Sequence, residues 1–188
     1  MEVKTIAVIG AGAMGRGIAY AAALGGYKTV LEDISSRVLD QALAWIRQSF
    51  EEEVARGNVE PSASDQAVSL ISTAGDVKDA IRDVELIIET VPDELEMKLE
   101  LFTIFDKFAK TGAIFASTAT SLSITDFTDI VVFREHCIGM RFYPVPKTKQ
   151  MELVRTPFTS DETVVACREV ARRMGKEVAV VHEASQSV

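Results

Sequence analysis

The sequence predicts an α/β protein with a doubly wound, mostly parallel sheet and helices on both faces. Three observations carry this expectation. Short apolar runs alternate with segments of helical periodicity along the chain, the strongest runs are apolar at nearly every position, and a glycine-patterned turn joins the first run to the first helix. A run without polar alternation suits a strand covered on both faces, and strand-helix alternation is the signature of a parallel sheet. The chain has 188 residues, one domain's length.

Ile6 to Ile9 form the first buried strand, and a helix from about Met14 to Leu24 follows until Gly25 and Gly26 stop it. Lys28 to Asp33 read as the second strand. Ser35 or Ser36 then caps a long helix with Leu39, Leu43, Ile46 and Phe50 on one face, which Gly57 ends. Asn58 to Gln66, with Pro61 and small polar residues, read as a connection, and Val68 to Ser72 as a third strand. Val84 to Val91 are strongly apolar and stop at Pro92. A helix from about Asp93 to Lys110 places Leu95, Leu99, Phe102, Phe105 and Phe108 near helical spacing. Gly112 to Ser117, Ile138 to Phe142 and Met151 to Val154 are further strands. Ser160 caps a last helix with Val164, Cys167, Val170 and Met174 as its buried stripe, Gly175 closes it, and Val178 to Val181 form the final strand.

Composition narrows the function classes. With 47% hydrophobic and 26% charged residues the chain is too apolar to be disordered. Twenty Lys and Arg against 28 Asp and Glu leave a charge of -8, a field that repels nucleic acid and anionic membranes, so neither is an expected partner. Lys4 and the apolar stretch after it imitate a signal peptide, but the patterned glycines and Arg16 speak against one. No run of about 18 apolar residues is available to span a bilayer. Cys137 and Cys167 have no zinc-like spacing, so no metal is expected and a reducing, cytoplasmic location fits best.

Gly10, Gly12 and Gly15 stand as G-x-G-x-x-G between the first strand and the first helix. Gly10 permits the tight turn, Gly12 leaves room for a pyrophosphate, and Gly15 lets helix and strand pack closely. The free amides and positive dipole end of the helix then face the phosphates. Alone, this motif also fits a tight turn without a ligand. Asp33, 18 residues after Gly15, decides between the two, because a carboxylate there accepts hydrogen bonds from the adenosine ribose and repels a 2'-phosphate. A Rossmann-type domain binding NAD in preference to NADP is the expectation; Glu32 is a second acid able to share the role, and Arg37 lies close enough to soften the preference.

Beyond this motif, the segments VIGAGAMGRGIA, LIIETVPDELEMKLELF, FASTATSLSIT, CIGMRFYPVP, MELVRT and TSDET follow in order, and together the chain resembles the NAD-binding domain of the L-3-hydroxyacyl-CoA dehydrogenases from Val3 to about Val181. That family oxidises the 3-hydroxyl of a fatty acyl-CoA to a ketone by hydride transfer to NAD. The resemblance assigns the phosphate loop to Gly10, Gly12, Ala13, Met14 and Gly15, the ribose contact to Asp33, and further cofactor contacts to Asp93 and Lys98. The family's S-N-T-S-S-L run appears as Ser117 to Leu122. Thr118 stands at its asparagine and is grouped with the cofactor contacts, and Thr120 replaces the serine that holds the substrate hydroxyl.

The larger departure lies in the family's G-M-H-F-F-N-P segment. It reads Gly139, Met140, Arg141, Phe142, Tyr143 and Pro144, so Arg141 replaces the general-base histidine, and the family's relay glutamate aligns with Glu152. A guanidinium stays protonated and cannot accept the proton. Arg141 is expected first as an ion-pair partner of Glu152, with polarising a ketone or gripping a carboxylate or phosphate as alternatives. His136 and His182 match no catalytic position and are expected at the surface. Residues 1–184 read as the NAD-binding Rossmann domain and 185–188 as the start of a connection to a helical C-terminal domain that is absent. The expected function is 3-hydroxyacyl-CoA oxidation or its reverse. The alternative is a catalytically degenerate NAD-binding module that senses cofactor or assembles with another subunit. Expected partners are NAD(H) and an acyl-CoA or small hydroxy acid, with a homo-oligomer or partner subunit as the assembly.

Overall fold

A computed structural model describes residues 2–143 and 149–183; Pro144 and the expected connection at 185–188 lie outside the described residues. Strand β1 (Thr5–Ile9), helix α1 (Ala13–Leu24), strand β2 (Lys28–Glu32) and helix α2 (Ser36–Ala55) open the chain. Helix α3 (Pro61–Ser69), strand β3 (Ile71–Ala74), helix α4 (Val77–Ile81), strand β4 (Leu86–Glu89), helix α5 (Leu95–Phe108) and strand β5 (Ile114–Ser117) continue it. Helix α6 (Ile124–Thr128), strand β6 (Cys137–Phe142), strand β7 (Gln150–Arg155), helix α7 (Asp161–Arg173) and strand β8 (Glu177–His182) complete it. Among the described residues the strands form one sheet in the order β3-β2-β1-β4-β5-β6-β7-β8. Neighbours pair in parallel except β6 and β7, which are antiparallel.

The unbroken apolar reading of β1 has a direct cause. Ile6 and Val8 enter the core under α1, α2 and α7, while Ala7 and Ile9 enter a second core under α4, α5 and α6. Each larger side chain removed from water contributes about 1.5–3 kcal/mol, which fixes the strand at the sheet's centre. The second core is aromatic: the Phe102 ring lies 5.2 Å from that of Phe105 and 4.9 Å from that of Phe127.

Local structure departs from the sequence reading at four places. Asn58 to Gln66 are not all connection, because α3 begins at Pro61, whose fixed φ suits a first helical position, and Ser64 and Ala67 are buried. The third strand is therefore displaced to Ile71–Ala74, with Val68 and Ser69 ending α3. Of the α5 residues read at helical spacing, Phe102 and Phe105 are buried while Leu95 and Phe108 are 39% and 38% exposed, and Lys98 is buried on this helix. Helices α4 and α6, five residues each, were not anticipated and are too short to show a period.

Candidate functional site

The strand order reverses between β1 and β4, and a crevice outside the strand ends at such a point is where open α/β sheets hold ligands. The glycine loop closes β1 there. Gly10 has φ +97°, a left-handed conformation that L side chains rarely adopt, and its amide donates to the Glu32 carbonyl at 2.9 Å. A Cβ on Gly15 would lie 1.8 Å from the Gly10 carbonyl oxygen, so the close approach of α1 requires glycine, whereas a Cβ on Gly12 would meet nothing within 4 Å. Gly12 is the N-cap of α1, with Ala13 and Met14 in the first turn, whose amides have no intrahelical acceptor. An open face with unsatisfied donors at a helix start fits a pyrophosphate.

Two neighbours hold the loop. The Thr90 hydroxyl, after β4, bonds the carbonyls of Ile9 and Gly10, each at 2.9 Å. Asp33, after β2, accepts from the Ala11 amide at 3.1 Å and the Ser35 amide at 2.9 Å, joining the glycine loop to the start of α2. Glu32 is 3% exposed and its buried Oε1 has no hydrogen-bond partner. Burial, then the adjacent Asp33 and Asp76, push its carboxyl up to about 7 against the pull of the Gly10 amide.

Across the crevice, Asp93 and Thr120 are brought together. Oδ2 of Asp93 accepts from the Thr120 amide at 3.0 Å, the Ser121 amide at 2.9 Å and the Ser121 hydroxyl at 2.7 Å. Burial pulls the Asp93 carboxyl up, but the Ser121 and Thr120 donors and the Lys98 ammonium outweigh it and hold it well below the usual carboxylate range. Lys98, expected to meet the cofactor, is 0% exposed and presents no surface to a ligand. Its ammonium is 2.8 Å from Glu89 and 3.3 Å from Asp93. Thr118 follows β5, and its amide donates to the Glu89 carbonyl at 3.1 Å.

Arg141 on β6 stands directly opposite Glu152 on β7 in the antiparallel register. Their closest charged atoms are 4.0 Å apart, the outer limit of an ion pair, whereas Nε of Arg141 donates to the Ala119 carbonyl at 2.9 Å. The stronger hold on this guanidinium is therefore the turn that carries Thr120. Tyr143, two residues on, hydrogen-bonds Glu152, which raises its phenol above the ordinary value. His182 is exposed and His136 half-buried, its ring stacked 6.0 Å from that of Phe133. A separate groove of about 590 Å³ opens between α1, α2 and the turn from α7 to β8, lined by Tyr20, Trp45, Ser49, Arg56 and Lys149 among others. No group of three or more His, Cys, Asp or Glu side chains able to hold a metal occurs among the described residues.

The family model described as the 3-hydroxyacyl-CoA dehydrogenase NAD binding domain matches residues 5–184. The chain belongs to the 3-hydroxyacyl-CoA dehydrogenase family. It is 36% identical over 180 residues to the mitochondrial hydroxyacyl-coenzyme A dehydrogenase of Sus scrofa, covering 93% of this chain and 57% of that protein. With the 3-hydroxybutyryl-CoA dehydrogenase of Bradyrhizobium diazoefficiens it shares 37% identity over 179 residues, 95% of this chain and 61% of that one. The crystal structure of 3-hydroxybutyryl-CoA dehydrogenase from Escherichia coli superposes with a TM-score of 0.94 at 29% identity, over 98% of this chain and 39% of that chain. The chain thus spans 57% and 61% of the length of the two curated relatives. No helix among the described residues is long and apolar enough to cross a membrane.

As a 3-hydroxyacyl-CoA dehydrogenase NAD-binding domain, the chain carries polar groups at its crevice that sequence reasoning passed over: Glu89, Ser117, Ser121 and the Ala119 carbonyl. For Glu89 one signal was available, a charged residue ending the otherwise apolar run Leu86 to Ile88.

Proposed function

We propose that this domain binds NAD(H) in the crevice over β1 and β4 and supports hydride transfer between it and C3 of a 3-hydroxyacyl-CoA. The observation that carries this reading is the open face at Gly12 between the tightly packed Gly10 and Gly15, with Asp33 on one side and the Asp93–Thr120 turn on the other. The amides of Gly12, Ala13 and Met14, with Gly15 behind them, hold the pyrophosphate. Asp33 takes the adenosine ribose, and its charge favours NAD over NADP. Asp93 and Thr118 line the nicotinamide side, where the cofactor, when bound, supplies the hydride acceptor or donor. Thr120 keeps a hydroxyl where the family's serine holds the substrate oxygen and orients it, while Asp93 fixes the turn beneath. Lys98 serves the site through Asp93.

Arg141 stays protonated and cannot accept the substrate proton; in the reducing direction it donates a hydrogen bond to the alkoxide formed by hydride delivery, which takes its proton from solvent, with Glu152 and Tyr143 beside it. A second reading, binding without turnover, is favoured by the bond that commits Arg141 Nε to the Ala119 carbonyl. The division at residue 184, with 185–188 opening a connection toward a helical domain, belongs to this proposal, as does completion of the acyl-CoA site by that domain, a second copy or a separate subunit. Two free, buried cysteines favour a reducing compartment, the cytoplasm in the simplest case.

The test is a calorimetric NADH titration with nicotinamide absorbance followed after adding acetoacetyl-CoA. Binding with turnover is expected for the enzyme; binding alone selects the second reading, and no binding overturns both. In the enzyme reading Arg141→His restores a group able to exchange protons opposite Glu152, and the rate is expected to rise about 100-fold or more. An unchanged rate would remove position 141 from the proton path.

A further inference from the structure

Glu89 ends β4, and both it and Lys98 of α5 are completely enclosed, with 0% of either side chain exposed. Neither charge reaches solvent or a ligand. Each loses its hydration on burial, and hydrophobic residues of similar size often serve stability as well, so such a pair calls for a geometric reason. The geometry supplies one. Oε1 of Glu89 accepts from the Val91 amide at 2.6 Å and from Lys98 at 2.9 Å; Oε2 accepts from the Ser117 hydroxyl at 2.7 Å and from Lys98 at 2.8 Å. Ser117 in turn accepts from the Ala119 amide at 3.1 Å, and Lys98 reaches Asp93 at 3.3 Å.

One carboxylate thus grips both sides of the crevice. Through Val91 it holds the segment after β4, which Thr90 ties to the glycine loop; through Ser117, and through Lys98 and Asp93, it holds the turn that presents Thr120. Glu89 and Ser117 are direct partners in the parallel register, so the link spans a single strand spacing. We propose that Glu89 is the positioning residue of this site, fixing the Thr120 turn relative to the glycine loop through Ser117 and through the Lys98–Asp93 pair. This rests on the reading that NAD(H) lies over β1 and β4 with the substrate oxygen at Thr120. Glu89 touches neither; it sets the distance between the groups that do.

The test uses the full chain and two variants. Glu89→Leu combined with Lys98→Met removes both buried charges together at similar volume and leaves the Val91 amide and Ser117 hydroxyl without their acceptor, a loss the rest of the core is expected to outlast. Glu89→Gln keeps the shape and one acceptor oxygen and serves as the measurement if the double variant does not fold. Two-dimensional amide NMR follows Thr120 and Ser121 against pH, with a calorimetric NADH titration and a thermal midpoint beside it. The only cation facing Asp93 is Lys98 among the described residues. Wild-type amides are expected to keep their bound shifts until strongly acidic pH. In the double variant the transition moves up as Asp93 loses its cation, the Ser121 and Thr120 donors still holding it low, and NADH binding weakens about tenfold with the melting temperature lowered by no more than a few degrees. An unchanged amide transition together with unchanged NADH affinity would reduce the pair to core filling and overturn the proposal. Should wild type fail to bind NADH, the cofactor reading falls, while Glu89→Gln, which leaves Lys98 facing Asp93, still decides through the Thr120 and Ser121 amide shifts whether Glu89 positions the turn: displaced shifts are expected, and shifts identical to wild type overturn the proposal.

Discussion

A methyl group added at Gly15 would sit 1.8 Å from a backbone oxygen, whereas one added at Gly12 would meet nothing within 4 Å. Gly12 also has φ -64° and ψ -169°, which alanine adopts without strain. The two substitutions therefore separate folding from binding. Gly15→Ala is expected to cost on the order of 3 kcal/mol or more, lowering the melting temperature by about ten degrees, because the clash is with backbone that cannot rotate away. Gly12→Ala is expected to melt within about two degrees of wild type, yet to lose about tenfold or more in NADH affinity as its methyl enters the space left for the pyrophosphate. Unchanged NADH affinity in Gly12→Ala would remove the phosphate from this loop. Arg141 shows a different lesson at the same scale. Its residue type excludes base chemistry from the sequence alone, but its strongest bond, to the Ala119 carbonyl, depends on how β6 approaches the turn after β5.

Elements differ in how far their causes lie along the chain, and that distance decides what could be read beforehand. Strand β1, the glycine loop and helices α2 and α7 have local causes: an apolar run, a fixed spacing, and Ser35 and Ser160 accepting from amides three residues on. Helix α6 is the opposite case. The Glu183 carboxylate accepts from Ile124 and Thr125 amides and from the Ser123 and Thr125 hydroxyls, so this short helix is started by a residue about 60 positions away. No window of sequence contains both partners. Glu183→Ala is expected to leave those donors unsatisfied and cost about 1–3 kcal/mol, with faster amide exchange confined to 124–128; exchange unchanged there would show that packing of Phe127 alone holds the helix. Helix α3 escaped for a local reason, since Pro, Ser and Ala compose loops and helix starts alike. At the site, the glycines and Asp33 were legible from spacing and Asp93 from resemblance. Glu89 was not, because its meaning comes from standing opposite Ser117 in the register of β4 and β5.

At the scale of the whole molecule, a charge of -8 already disfavours compactness as pH rises, and two carboxyls at the crevice bend the stability curve in opposite senses. Asp93 has its carboxyl held low in the folded state. Its contribution is therefore present above the unfolded value of about 3.9 and is lost as pH falls through the folded one. Glu85 adds in the same sense, its burial outweighed by Lys110 and the Thr5 and Lys4 amides. Glu32 acts oppositely. Burial and then the neighbouring Asp33 and Asp76 raise it to about 7, so the folded state binds a proton that the unfolded chain has released, and stability falls between about pH 4.3 and about pH 7. The shift corresponds to roughly 3–4 kcal/mol once ionisation is complete. Together these slopes place the greatest thermal stability near pH 5, on the acid side of neutrality. Melting curves recorded from pH 4 to pH 8 test this, and Glu32→Gln identifies the group. The variant is expected to match wild type at about pH 4, where both carry an uncharged side chain, and to melt several degrees higher at about pH 8, where only wild type must hold a carboxylate without a partner for Oε1. A variant that loses stability between neutral and alkaline pH as steeply as wild type would assign the slope to the overall negative charge and clear Glu32 of it.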